Sequence, residues 1–171
     1  STLKELDYLE SALLDVGKCV GEAELEEIRS ELASTGYVKK TTNRRQQRAL
    51  PKSKPYHYRS VDGIDIFVGK NAAQNERLTF GAQPNETWLH AKDMPGSHVI
   101  IKAEGAIPDS TLSDAATLAA WYSKGQHSTM VPIDCPLRRH VKKIPGGATG
   151  MVTYTNQKTV YMTVTEADVK K

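Results

Sequence analysis

The sequence has only two cysteines, and nowhere among its 171 residues does an apolar run approach the roughly 18 residues that a membrane span requires. No charged-then-apolar leader precedes a small-residue cleavage site. Cys19 falls in a helical pattern and Cys135 beside Pro136, so reduced thiols in a cytoplasmic protein are expected. With no initiator methionine, and a helical pattern from the first residues on, the chain is expected to be a piece of something longer. Signatures of chemistry are also missing. Ser97 lacks the glycine-serine-glycine elbow, the glycine loop 146–150 lacks the Lys-Ser/Thr ending of a nucleotide-binding loop, and His90 and His98 have no third His or Cys nearby. No catalytic residue, metal or cofactor is therefore expected. Acid–base chemistry by His90 with Asp93 or Glu86 is the enzymatic alternative.

Acids are missing from one stretch in particular. Residues 39–59 carry eight bases and no acid, whereas 1–38 carry nine acids and three bases, a local net charge of −6 inside a chain of net charge +3. Unpaired cations attract polyanions, because each neutralised phosphate releases counterions. The bland alternative is a solvated linker lying over the acidic helices before it. Three segments follow: an acidic helical segment over 1–36, a basic linker over 37–55 and a folded domain over 56–171.

The patterning predicts an α+β domain preceded by a helical hairpin. Leu6, Leu9, Leu13, Val16 and Val20 take the 3-4 spacing of the seam of a coiled coil or helical hairpin, and a second helix is expected over 22–34, ended by Gly36. Asp62 and Gly63 between two strand-like runs read as a hairpin turn. A short helix is expected over 72–78 and an alanine-rich one over 111–124, where Ala115, Ala116, Ala119 and Ala120 allow close approach to a sheet. Short strands surround it, and one dominant helix among several strands indicates a largely antiparallel sheet.

Residues 86–102 read as two strands around a Pro95-Gly96 turn. Alternation puts Leu89, Ala91, Val99, Ile101 and Ala103 on a core face and Trp88, His90, Lys92, His98, Ile100 and Lys102 on the other. Trp88 by itself fits a core edge as well as a stacking surface. Grouped with imidazoles and ammonium groups, it offers what unpaired RNA bases require. Lys70, Asn71, Gln74, Asn75 and Ser97 extend the polar surface, and Arg138, Arg139, Lys142 and Lys143, just before a glycine loop, are candidate phosphate contacts.

Five stretches, GKNAAQNERLT at 69–79, TWLHA at 87–91, PGSHVII at 95–101, DAATLAAWYSK at 114–124 and GMVTYT at 150–155, together resemble the NFACT-R domain. This is the RNA-binding C-terminal domain of the FbpA/RqcH/NEMF family. The acidic helices resemble the end of that family's coiled-coil region. The resemblance implies a ribosome quality-control factor that binds obstructed large subunits through rRNA, engages tRNA and supports alanine tailing of stalled chains. Members in Gram-positive bacteria have also been called fibronectin-binding proteins, so adhesion at the cell surface is the alternative function.

Overall fold

The computed structural model describes residues 2–18, 22–34 and 53–169. Most of the basic linker, with Cys19 and Val20, lies outside the described residues. In chain order come α1 (Thr2–Lys18), α2 (Glu22–Ser34), β1 (Tyr56–Arg59), β2 (Asp65–Val68), α3 (Ala72–Phe80), β3 (Glu86–Ala91), β4 (Val99–Glu104) and α4 (Asp109–Trp121). Then follow β5 (Val131–Cys135), a 3₁₀ turn (Arg138–His140), β6 (Val141–Lys143), β7 (Val152–Tyr154), β8 (Lys158–Met162) and α5 (Glu166–Val169). The sheet has six strands in the order β1-β2-β4-β3-β5-β8, and every neighbouring pair is antiparallel. β6 and β7 form a separate two-stranded ribbon.

Strand alternation explains the layers. Leu89, Ala91, Val99 and Ile101 point to one face with Ile66, Val68 and Ile133, and the alanines of α4 close over them. Small side chains let that helix lie near the strands, so the main core is the one that the pattern predicts. Tyr122, just past the helix, stacks on Tyr56 at 4.9 Å and shares a hydroxyl–hydroxyl contact with Tyr58. The β1–β2 turn is tied to the start of α4. Ser110 and Thr111 donate to the Asp62 carboxylate, holding its pKa below the usual range, and Asp114 accepts from the Val61 N–H.

The opposite sheet face is not open. Trp88 and Ile100 pack with Ala82 and Val141 in a second core, flanked by Leu78, Val152 and Tyr154. β3 and β4 are therefore covered on both sides, by α4 on one and by α3 with the β6–β7 ribbon on the other.

The coiled-coil seam needs correction. Leu6, Leu13 and Val16 are exposed, and the buried positions of the hairpin are Tyr8, Asp15, Glu24 and Ile28. The hairpin therefore packs on the domain through a partly polar face, with Leu6, Leu13 and Val16 turned outward and Leu9 half-buried.

A cavity-forming substitution measures the main core directly. Ile101→Ala, at a fully buried position, is expected to cost roughly 2–5 kcal/mol in urea unfolding. Leu13→Ala, at a position 72% exposed, should stay within about 0.5 kcal/mol.

Candidate nucleic-acid interface

The motif at 69–79 builds the entrance to α3. A Cβ on Gly69 would lie 1.9 Å from Asn75 Oδ1, so only glycine fits there. Asn71 caps the helix by accepting the Gln74 N–H at 2.9 Å, and Asn75 Oδ1 accepts the His98 N–H at 3.2 Å. Gln74 accepts the Lys70 N–H at 3.0 Å and donates to the Ser53 carbonyl and hydroxyl. These amides are buried and already partnered. Their polarity organises the backbone, which corrects their expected place on an open RNA-binding face.

The same correction applies to Trp88, Ser97 and His98, all buried. The Trp88 indole donates to Thr79 Oγ1 at 3.0 Å, and that hydroxyl lies 2.8 Å from His98 Nδ1. Burial, reinforced by neighbouring His90, pushes the His98 pKa well below the ordinary histidine value, although hydrogen bonds to the Gly150 and Asn75 backbones oppose this. The imidazole is therefore neutral at physiological pH. The two histidines meet edge to face at 5.4 Å, and His90 lies nearly parallel to Trp88 at 5.6 Å. Tyr154 completes the aromatic cluster 5.1 Å from Trp88 and donates to Asp134 Oδ2 at 2.6 Å. Thr159 donates to the other oxygen of that buried carboxylate. Tyr154 and Asp134 were not singled out in the sequence, because their pairing joins β7 to β5 across 20 residues.

The candidate cations divide by environment. Lys70 donates to Glu24 at 2.7 Å and lies over the Tyr56 ring. Arg138 donates from Nε to the Thr79 carbonyl at 3.0 Å, with its guanidinium 4.9 Å from the centre of the Phe80 ring. Lys143 reaches the same ring at 5.3 Å and pairs with Glu76, whose carboxyl also accepts the Gly150 N–H. Lys92, Arg139 and Lys142 are exposed. Arg138 and Lys143 thus converge on Phe80 as a basic ridge where the 3₁₀ turn and β6 meet α3, and Arg139 and Lys142 are the exposed cations next to them in the chain. Arg77, exposed on α3, lines a shallow groove with Lys54, Gln74 and Leu78. Helical spacing could have found Arg77, which lies one turn from Phe80.

The acidic hairpin covers the entrance of α3. Besides Glu24 on Lys70, Glu27 accepts from Asn71 Nδ2 at 3.0 Å and from the Ser53 N–H and hydroxyl at 2.6 Å, and Glu10 pairs with Lys124 at 3.0 Å. Among the described residues, no group of three or more His, Cys, Asp or Glu is placed to hold a metal ion. No described helix is long and apolar enough to cross a membrane.

The sequence profile of the NFACT protein RNA binding domain matches residues 54–156. The chain belongs to this family. The match runs from just before β1 to the end of the β6–β7 ribbon, so it includes the second core, the ridge and the main core except for its β8 side. Similar proteins include the Rqc2 homolog RqcH of Streptococcus suis (strain 05ZYH33), 43% identical over 171 residues, 99% of this chain and 30% of that protein. The Rqc2 homolog RqcH of Bacillus subtilis (strain 168) is 40% identical over 94% of this chain and 28% of its own length. The chain thus spans about 30% of the curated relatives it matches. A solved structure, the C-terminal of the fibronectin/fibrinogen-binding protein from Streptococcus suis, superposes with a TM-score of 0.90 at 42% identity. It covers 99% of this chain and 67% of that one.

Docking of the hairpin on the NFACT domain should depend on pH. Burial raises the pKa of Glu31 to about 7, Asp15 and Glu76 add repulsion, and hydrogen bonds with Tyr8 and the Ala73 backbone oppose the rise. An acid whose pKa is higher when docked than when released binds its extra proton only in the docked state. Docking is therefore favoured below pH 7 and loses that contribution as the pH rises from the released value of 4.5 through about 7. Hydrogen exchange of α1 and α2 is expected to slow between pH 8 and pH 6 after correction for intrinsic rates, and Glu31→Gln should remove most of that dependence.

Proposed function

We propose that this chain is the RNA-binding portion of a cytoplasmic ribosome quality-control factor. In this reading it contacts rRNA and tRNA on obstructed large subunits, supports alanine tailing of stalled chains and carries out no catalysis of its own. The observation that carries the reading is the basic ridge around Phe80, lying within a domain whose family is described as RNA binding. Exposed cations there neutralise backbone phosphates, and Phe80 together with the Arg138 guanidinium gives the ridge a flat, weakly hydrated centre. Similarity to Rqc2 homologs over 94–99% of the chain supports the ribosomal setting.

One observation favours a second reading. The superposing Streptococcus suis structure is of a fibronectin/fibrinogen-binding protein, and adhesion would predict saturable, nuclease-insensitive binding to immobilised fibronectin.

Anisotropy titrations of labelled tRNA and an rRNA fragment test the first reading. Affinity should fall with salt, with a log–log slope of about −0.7 to −0.9 for each phosphate neutralised. Arg139→Glu with Lys142→Glu should weaken binding at least about ten-fold at every sequence and flatten the slope by about 2. Salt-independent binding, or none, contradicts the proposal.

A further inference from the structure

Beneath the hairpin, beside the ridge, is a cleft of about 340 Å³ between α1, the β3–β4 turn, the loop 149–152 and the aromatic cluster. That volume lies within the usual range for small-ligand sites, about 300–1,000 Å³. Its lining combines two kinds of chemistry. One is a ring platform, with His90 half-exposed and held parallel to Trp88, and with Tyr154 alongside. The other is a set of three carboxylates: Asp7 and Asp15 from α1, and Asp93 from the turn after β3. Asp93 is exposed, in a left-handed conformation (φ 53°), and its charge reaches Tyr154.

Such walls select their occupant. Carboxylates repel phosphate and accept N–H groups, so a nucleotide would place its base inside and leave its phosphate toward the basic ridge. Guanine presents N1–H and N2–H₂ side by side, a match for both oxygens of one carboxylate. Uracil has a single N–H flanked by two carbonyl oxygens that would face negative charge, and adenine and cytosine set a ring acceptor beside their amine.

We propose that this cleft is a single-base pocket for RNA, receiving an unpaired guanine stacked on the His90–Trp88 platform with its N1–H and N2–H₂ edge on Asp93. The proposal rests on the reading that the domain binds RNA and adds a base preference to it. Backbone contacts on the ridge carry no sequence information, whereas the pocket would.

The test uses the whole chain and two kinds of probe. Calorimetric titration with guanosine, adenosine, cytidine and uridine, none carrying a phosphate, should show guanosine binding best and uridine worst. A uridine-only oligonucleotide and the same oligonucleotide with one central guanosine should differ about ten-fold in affinity, as expected for one bidentate base contact. Asp93→Asn, a residue that tolerates positive φ, and His90→Ala should each bring that ratio toward one, with melting temperatures confirming that the variants fold. Equal affinity of all four nucleosides overturns the pocket. So does a ratio unchanged in both variants, or binding of acetyl-arginine amide in preference to guanosine. If both oligonucleotides bind equally and in a salt-dependent way, only the pocket fails. If neither binds, the RNA reading fails with it.

Discussion

The contact on which the rest of the domain depends is the buried chain Trp88–Thr79–His98. It joins the middle of β3, the end of α3 and the residue before β4, and each polar atom in it has a partner. An unpaired indole N–H or imidazole nitrogen buried this deeply would cost a few kcal/mol, so the three side chains specify one placement of α3 across the sheet. With α3 fixed, Phe80 and Glu76 are fixed too, and these two residues receive Arg138 and Lys143. The polar core therefore sets the position of the basic ridge without reaching solvent itself.

Electrostatic segregation gives the second layer of organisation. The hairpin meets the domain through carboxylates, one on Lys70, one on Asn71 and Ser53, one on Lys124 and one forced toward its protonated form by burial. Acids over the entrance of α3 and bases on the ridge leave the domain with one side that repels a polyanion and another that attracts it. The cleft lies between them, and this arrangement favours a nucleotide whose base and phosphate point in opposite directions.

Much of the architecture is legible in the sequence because it rests on local patterns. Alternation assigned Leu89 and Val99 to the main core, Asp62 and Gly63 marked the first turn, and the alanines identified α4. Strand order was not legible, since hydrophobic patterns do not say which strand lies beside which. The site was less legible for a specific reason. Polar residues at alternating positions indicate a solvated face when only one side of a sheet is covered, but α3 and the β6–β7 ribbon bury the second side. Trp88 and His98 were therefore expected on a surface, as were Asn71, Gln74 and Asn75 at the start of α3 from their polarity alone, and all five occur inside a hydrogen-bonded core. The family motifs at 69–79, 87–91 and 95–101 identified the domain correctly while recording this internal architecture. Arg138 and Lys143 were found as bases, but their shared contact with Phe80, about 60 residues away, has no sequence signal. The heptad seam misled because spacing shows that a stripe is apolar and does not show which side of the helix meets the domain.

The central claim is that RNA lies on the ridge around Phe80, and lysine footprinting with and without bound tRNA tests it most directly. Acetylation of Lys142 and Lys143 should be suppressed by tRNA, while Lys102 and Lys124, paired with Glu86 and Glu10, keep their reactivity. Saturating tRNA that leaves Lys142 and Lys143 as reactive as in the free chain would contradict the claim.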